Sequence, residues 1–208
     1  MNIKALPLFI FILIITSCSS NKYAATNRDY KRHVKTFVKE IKKYPLEGNR
    51  RTWIGTTNFG LRKPDFVIIH HTAQNSCEQT LQTFTLKHTQ VSAHYLICKD
   101  GSVHHLLNDY LRAWQAGISS WGNNKDINSC SIGIELDNNG YEPFTTIQIN
   151  SLLVLLDTLK RKYHIPTANF IGHADVAPAR KNDPNVNFPW QLLSQHEYGL
   201  WYGDTSQA

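Results

Sequence analysis

Apolar residues change their spacing several times along the chain, and each spacing implies an element. Phe66-Val67-Ile68-Ile69 is an unbroken β-rich run ending in His70-His71, the pattern of a buried strand. Glu78 to His88 brings Leu81 and Phe84 to one side at helical spacing. Val91 to Cys98 and Val103 to Leu107 flank Lys99-Asp100-Gly101-Ser102, and Asp-Gly between two strand-like runs signals a hairpin. Ser131 to Leu136 is a further strand. Thr145 to Tyr163 is the clearest helix, with Ile149, Leu152, Leu153, Leu156 and Leu159 on one face. Thr145 or Thr146 can cap it, and Lys160-Arg161-Lys162 complement its C-terminal dipole. Asn169 to Gly172 is a short strand, a Pro-rich loop runs on to Phe188, and Pro189-Trp190 opens a last short helix. This order predicts an α/β domain over residues 51–208, with a mixed central β-sheet flanked by helices.

The leading residues follow other rules. Lys4 precedes an apolar run of eleven residues, Ala5 to Ile15. As a helix it reaches roughly 16 Å, about half of a hydrocarbon core, so it predicts a signal peptide (residues 1–17) rather than a span. Ile15-Thr16-Ser17-Cys18 resembles the lipobox of bacterial lipoproteins, in which the cysteine is acylated and becomes the mature N-terminus. More than one acyl chain gives stable anchoring, so Cys18 is the expected membrane attachment. Ser19-Ser20 carry no acidic residue, which favours the periplasmic face of the outer membrane. Residues 18–50 read as a basic linker with one short helix, where Val34, Phe37, Val38 and Ile41 fall at helical spacing.

Charge sharpens that division. The formal net charge is +6. Residues 18–63 hold twelve Lys/Arg against three Asp/Glu, whereas residues 64–208 hold nine against thirteen. The basic character therefore belongs to the leading segment, suited to an anionic envelope surface or to plain solvation. No helix-turn-helix or aromatic-basic interleaving is present, so nucleic acid is not an expected partner. Besides Cys18 there are Cys77, Cys98 and Cys130, an odd number that permits at most one internal disulfide. Their spacing fits no cysteine zinc motif, and they read as small buried residues.

Of ten histidines, most sit where a solvated or core histidine is the default, including His94 in a strand interior. His70 and His173 differ, since each closes an apolar strand-like run, and strand ends are where sites are built. Asp183 follows His173 by ten residues. Two imidazoles and a carboxylate form a common catalytic zinc set with a fourth position open, although such spacing alone is weak evidence.

Longer segments carry more weight. Val67-Ile68-Ile69-His70-His71-Thr72-Ala73, Val91-Ser92-Ala93-His94-Tyr95-Leu96-Ile97, Ala113-Trp114-Gln115-Ala116-Gly117-Ile118-Ser119, Ser131-Ile132-Gly133-Ile134-Glu135-Leu136 and the stretch from Gly172 to Pro184 occur in that order. Together they resemble the type-2 N-acetylmuramoyl-L-alanine amidases, the AmpD-like enzymes, and with the lipobox most of all their lipid-anchored branch. The resemblance spans about residues 64–200. It implies the amidase and peptidoglycan-recognition-protein fold, Zn²⁺ held by His70, His173 and Asp183, a catalytic Glu135 and a catalytic Lys181. It implies hydrolysis of the amide between N-acetylmuramic acid, or its anhydro form, and L-alanine of the stem peptide. Peptidoglycan or muropeptides are then the partners, acted on by a monomer in the cell envelope.

Two positions depart from the pattern. Ala93 stands where some relatives carry a catalytic tyrosine, which places the chain in the glutamate-using branch. Gln115 stands where many carry a groove-lining histidine, which bears on substrate preference or rate. Tyr95, Trp114, Trp121 and Trp190 are candidates for stacking on sugar, with core packing the simpler account of Tyr95 and Trp190. The rival reading, a non-catalytic peptidoglycan-binding module, requires a broken ligand set. A general zinc peptidase finds no His-Glu-x-x-His to support it.

Overall fold

The computed structural model describes residues 21–42, 56, 58 and 60–202. The signal peptide, Cys18 and the end of the basic linker lie outside the described residues. The chain divides into two compact units, Met1–Thr56 and Thr57–Ala208. In the first, α1 (Ala24–Ile41) runs for 18 residues, longer than the short helix expected. Its first turns are polar and lack apolar periodicity, so propensity rather than pattern extends it. No helix among the described residues is long and apolar enough to cross a membrane.

The second unit is built on five strands: β1 (Phe66–His71), β2 (Tyr95–Ile97), β3 (Val103–His105), β4 (Ser131–Leu136) and β5 (Phe170–Gly172). Their order across the sheet is β3-β2-β4-β1-β5. The β2–β3 pair is antiparallel and every other pairing is parallel, so the sheet is mixed as expected. Gly101, at φ 82°, makes the turn of the hairpin, and Asp100 Oδ1 closes it by accepting from the Ser102 N–H at 2.9 Å.

Alternation along the strands separates two faces. Val67, Ile69, Ile132, Ile134 and Leu136 meet Ile149, Leu152, Leu156 and Leu159 of α4 (Thr146–Tyr163), joined by Phe170, Phe188 and Leu193 of α6 (Trp190–Gln195). Thr145 caps α4 by accepting from the Gln148 N–H at 3.2 Å, and His164 ends it in the left-handed conformation. Each fully buried leucine there contributes roughly 2 kcal/mol. The opposite face carries only a small cluster, in which Ile68 and Ile171 pack on Ala116, on Ile127 of α3 (Ile127–Cys130) and on Val176 of α5 (His173–Val176). That thinner layer leaves room at the ends of the strands.

Three expectations need correction. The segment after His173 is not all loop, because Asp175 accepts the Gly172 N–H at 2.7 Å and starts the single turn of α5. Val91 to His94 precede the strand rather than belong to it. Cys77 and Cys98 are not merely small buried residues: their Cα atoms lie 5.4 Å apart and they form a disulfide, fastening the start of α2 (Cys77–Thr85) to the end of β2. Cys130 is free.

Candidate functional site

Parallel pairing dictates where the chemistry falls. Register aligns His70 with Glu135 across β1 and β4, and Ile69 with Gly172 across β1 and β5. Glu135, His70 and His173 therefore stand side by side where three parallel strands end. Asp183 is brought back by its own carbonyl, which accepts from the Ala174 N–H at 2.8 Å. These residues line a cleft of about 320 Å³ together with Lys181 and Trp114.

Within the cleft the three expected ligands converge. His70 Nδ1 lies 3.0 Å from His173 Nδ1, and both lie within 3.0 Å of Asp183 Oδ2. All three residues are buried. The outer nitrogens decide what those inner atoms are. His173 Nε2 donates to the Ala116 carbonyl at 3.1 Å, and His70 Nε2 donates to Gln115 Oε1. Each ring thereby turns an Nδ1 lone pair inward. Two lone pairs and a carboxylate oxygen facing one another repel unless a cation is shared among them, and two imidazole nitrogens with one carboxylate are a donor set that suits zinc. The residues present fit that ion.

Charge within the site follows from burial and proximity. Burial alone would lower His70, but the Glu135 and Asp183 carboxylates outweigh it and raise His70 above an ordinary histidine. For His173 burial wins, and its pKa is lowered. Burial pushes Glu135 up, against the positive pull of His70 and Lys181. Its Oε2 is shut off from solvent and makes no hydrogen bond. A carboxylate kept unpaired beside a prospective reaction centre is a proton acceptor held in readiness.

The remaining candidates separate. Trp114 is half exposed at the cleft, a free aromatic face. Trp121 and Trp190 line a different, aromatic depression with Trp201. Tyr95 is buried and donates to Asp109 Oδ1 at 2.8 Å, a packing role. His71 also borders the cleft, with its ring 3.1 Å from the position a Cβ on Gly140 would take. His94 is a fully buried core residue. Among the described residues one further histidine–cysteine group, Cys77, Cys98 and His104, has both sulfurs tied in the disulfide. Gln115 borders the cleft and turns its side-chain oxygen to His70 Nε2.

A family model described as N-acetylmuramoyl-L-alanine amidase matches residues 60–186, which takes in His70, Glu135, His173, Lys181 and Asp183. The chain belongs to this family. Among curated members, N-acetylmuramoyl-L-alanine amidase AmiD of Escherichia coli is 39% identical over 151 residues, covering 65% of this chain and 54% of that protein. The 1,6-anhydro-N-acetylmuramyl-L-alanine amidase AmpD of Enterobacter cloacae is 38% identical over 105 residues, 50% of this chain and 56% of its own length. The chain thus spans about half the length of the curated relatives it matches. The solved complex of E. coli AmiD with anhydro-N-acetylmuramic acid-L-Ala-D-gamma-Glu-L-Lys superposes with a TM-score of 0.65 at 33% identity, covering 75% of this chain and 67% of that one. AmpDh3 of Pseudomonas aeruginosa, solved with an anhydromuramic pentapeptide, gives 0.65 at 28% identity, covering 76% and 69%. The fold and the AmpD/AmiD-like character of the family member are thereby established.

Proposed function

We propose that this chain is a zinc-dependent N-acetylmuramoyl-L-alanine amidase that cleaves the amide joining the lactyl group of N-acetylmuramic acid, or its anhydro form, to L-alanine of the stem peptide. The observation that carries this reading is the convergence of two imidazole lone pairs and the Asp183 carboxylate beside the unpaired Glu135. The family match supports it, and so does the muropeptide named in the AmiD complex.

His70, His173 and Asp183 would hold the metal, which when bound supplies Lewis acidity toward the scissile carbonyl and an attacking water. The Glu135 carboxylate takes the proton of the attacking water as the water oxygen adds to the carbonyl carbon. The same carboxyl then gives the proton to the nitrogen as the C–N bond breaks, leaving a carboxylate on the sugar side and a free amine on L-alanine. The Lys181 ammonium, in the same cleft, donates to the developing oxyanion; one such donor is typically worth about 3–4 kcal/mol. Trp114 offers its face to sugar or peptide at the rim. A non-catalytic binding module finds no support, because no ligand of the set is missing.

The leader and its cysteine complete the proposal. Residues 1–17 are removed, Cys18 is lipidated, residues 18–50 form a basic tether, and the domain acts as a monomer from the periplasmic face of the outer membrane. Digestion of purified muropeptides with and without chelator, read by mass spectrometry, tests the chemistry. Release of free stem peptide, lost on chelation and restored by zinc, is the expected result. Intact muropeptides under zinc-replete conditions would refute it.

A further inference from the structure

The two ligand histidines share a feature that lies outside the metal cluster. Their outer nitrogens are held by two consecutive residues of one loop, Gln115 through its side chain and Ala116 through its carbonyl. We propose that the Gln115–Ala116 segment is a clamp that fixes the tautomer and orientation of both imidazoles, with Gln115 the positioning residue for His70. This rests on the reading of His70, His173 and Asp183 as a metal site.

Donor direction can be followed from the end that admits no choice. The Ile127 carbonyl can only accept, and the Ser131 hydroxyl donates to it at 2.7 Å. Ser131 Oγ then accepts from Gln115 Nε2 at 2.8 Å, which settles which end of the amide is oxygen. Gln115 Oε1 is left to accept from His70 Nε2, so the lone pair of His70 must sit on Nδ1, facing His173 and Asp183. On the other ring the Ala116 carbonyl imposes the same tautomer directly.

The segment is itself pinned at three points, and the loop just beyond it at a fourth. The N–H groups of Gln115 and Ala116 both donate to Asn128 Oδ1, at 3.1 and 2.9 Å. Arg180 Nη2 donates to the Ala116 and Ile118 carbonyls, each at 2.8 Å. Beneath the side chain, a Cβ on residue 133 would stand 2.6 Å from Gln115 Cγ, so glycine is required there for the amide to reach His70. Ser131 is fully buried and Asn128 nearly so. The clamp is therefore rigid, and outer partners of this kind commonly tune metal affinity by about 10–100-fold.

The test compares Gln115→Met, which keeps the stem over Gly133 but removes the acceptor, with Gln115→Glu, which keeps an acceptor. Zinc affinity is read by chelator competition on the full-length protein, and the visible absorption of the cobalt-substituted form reports the ligand field. Expected for Gln115→Met is zinc affinity lower by about 10–100-fold with an altered cobalt spectrum, while the melting temperature of the metal-free protein stays near wild type. Gln115→Glu is expected to restore both affinity and spectrum. Wild-type affinity and an unchanged spectrum in Gln115→Met would overturn the clamp and leave the metal site standing. Failure of the wild type itself to bind one zinc would overturn the metal reading and the clamp with it.

Discussion

Asp109 and Asp183 are both buried carboxylates with histidine neighbours, and only Asp109 has all its donors. Asp109 Oδ1 accepts from Tyr95 at 2.8 Å and faces His105 Nε2 at 3.2 Å, while its Oδ2 accepts from Tyr163 at 2.6 Å and from Lys162 at 3.1 Å. Each oxygen meets two donors. Burial opposes its charge, but hydrogen bonds from His105, Tyr163, Tyr95 and Lys162 hold it well below the usual carboxylate range. Asp183 Oδ2 instead faces two nitrogens whose protons point away, and neighbouring Glu135 Oε2 meets no donor at all. The same residue types thus make a closed network at one place and an open one at another. Donor supply, rather than burial or residue type, separates a structural hub from a centre that has something left to bind.

The largest effect expected from that difference is on turnover. Glu135→Gln keeps the shape of the side chain and removes the proton acceptor, so hydrolysis should fall by about a thousand-fold. Zinc content should be unchanged, and stability no lower, because an unpaired buried carboxylate has been neutralised. Steady-state cleavage of a purified muropeptide, with metal analysis of the same sample, checks both. Near-normal rates in a metal-loaded variant would remove Glu135 from the mechanism.

Asp109→Asn should do the reverse. An amide has one oxygen where the carboxylate has two, so the donors gathered at Oδ2 lose their acceptor. With Lys162 half exposed, the expected loss is about 3 kcal/mol of folding stability, with kcat retained by the folded enzyme. Urea unfolding at neutral pH measures the first, and turnover at low temperature the second. A variant as stable as the parent, or one that folds but does not turn over, would show that the two clusters had been assigned the wrong way round.

The open cluster was far easier to see in the sequence than the closed one. His70 and His173 each end an apolar run, and residues after parallel strands converge at one edge of a sheet, so local pattern and topology point the same way. The helix over residues 146–163 and four of the strands were legible for a similar reason, since each buries apolar side chains, whereas the exposed β3 was legible from the Asp-Gly turn before it. Asp109 gave no such signal. Its partners come from residues 95, 105, 162 and 163, and nothing local announces their meeting. Gln115 stood out only as a departure from the family pattern, and its contact with His70 was not legible because it depends on Ser131 and Gly133 from another strand. Cysteine parity allowed one bridge but could not choose Cys77 with Cys98, which only three-dimensional proximity decides. Pattern reports what a residue's own element buries, and not which remote donors reach it.

The smallest effect concerns His94, which sits beside the closed network and shares its Arg62 neighbour. Its Nδ1 accepts from the Gly133 N–H at 3.0 Å, so the ring can be protonated only by breaking that bond, with the Arg62 guanidinium 2.9 Å from the other nitrogen. Burial above all, then the charge of Arg62, push its pKa down to about 4 against the pull of the Leu111 carbonyl. The folded pKa lies below the unfolded value of 6.5, so between the two the unfolded chain binds the extra proton. The contribution is complete above pH 6.5 and is lost as pH falls toward 4. At pH 5 it should cost about 2 kcal/mol relative to pH 7. Asp109 keeps its charge throughout this window, since its pKa lies far below it. Loss of metal at low pH is common to the wild type and His94→Gln, and the difference between their urea midpoints from pH 7 to pH 5 isolates the histidine. Parallel midpoints in the two proteins would mean that His94 titrates as an ordinary histidine. The buried polar groups behind the sheet would then be less rigidly paired than the Asp109 hub requires.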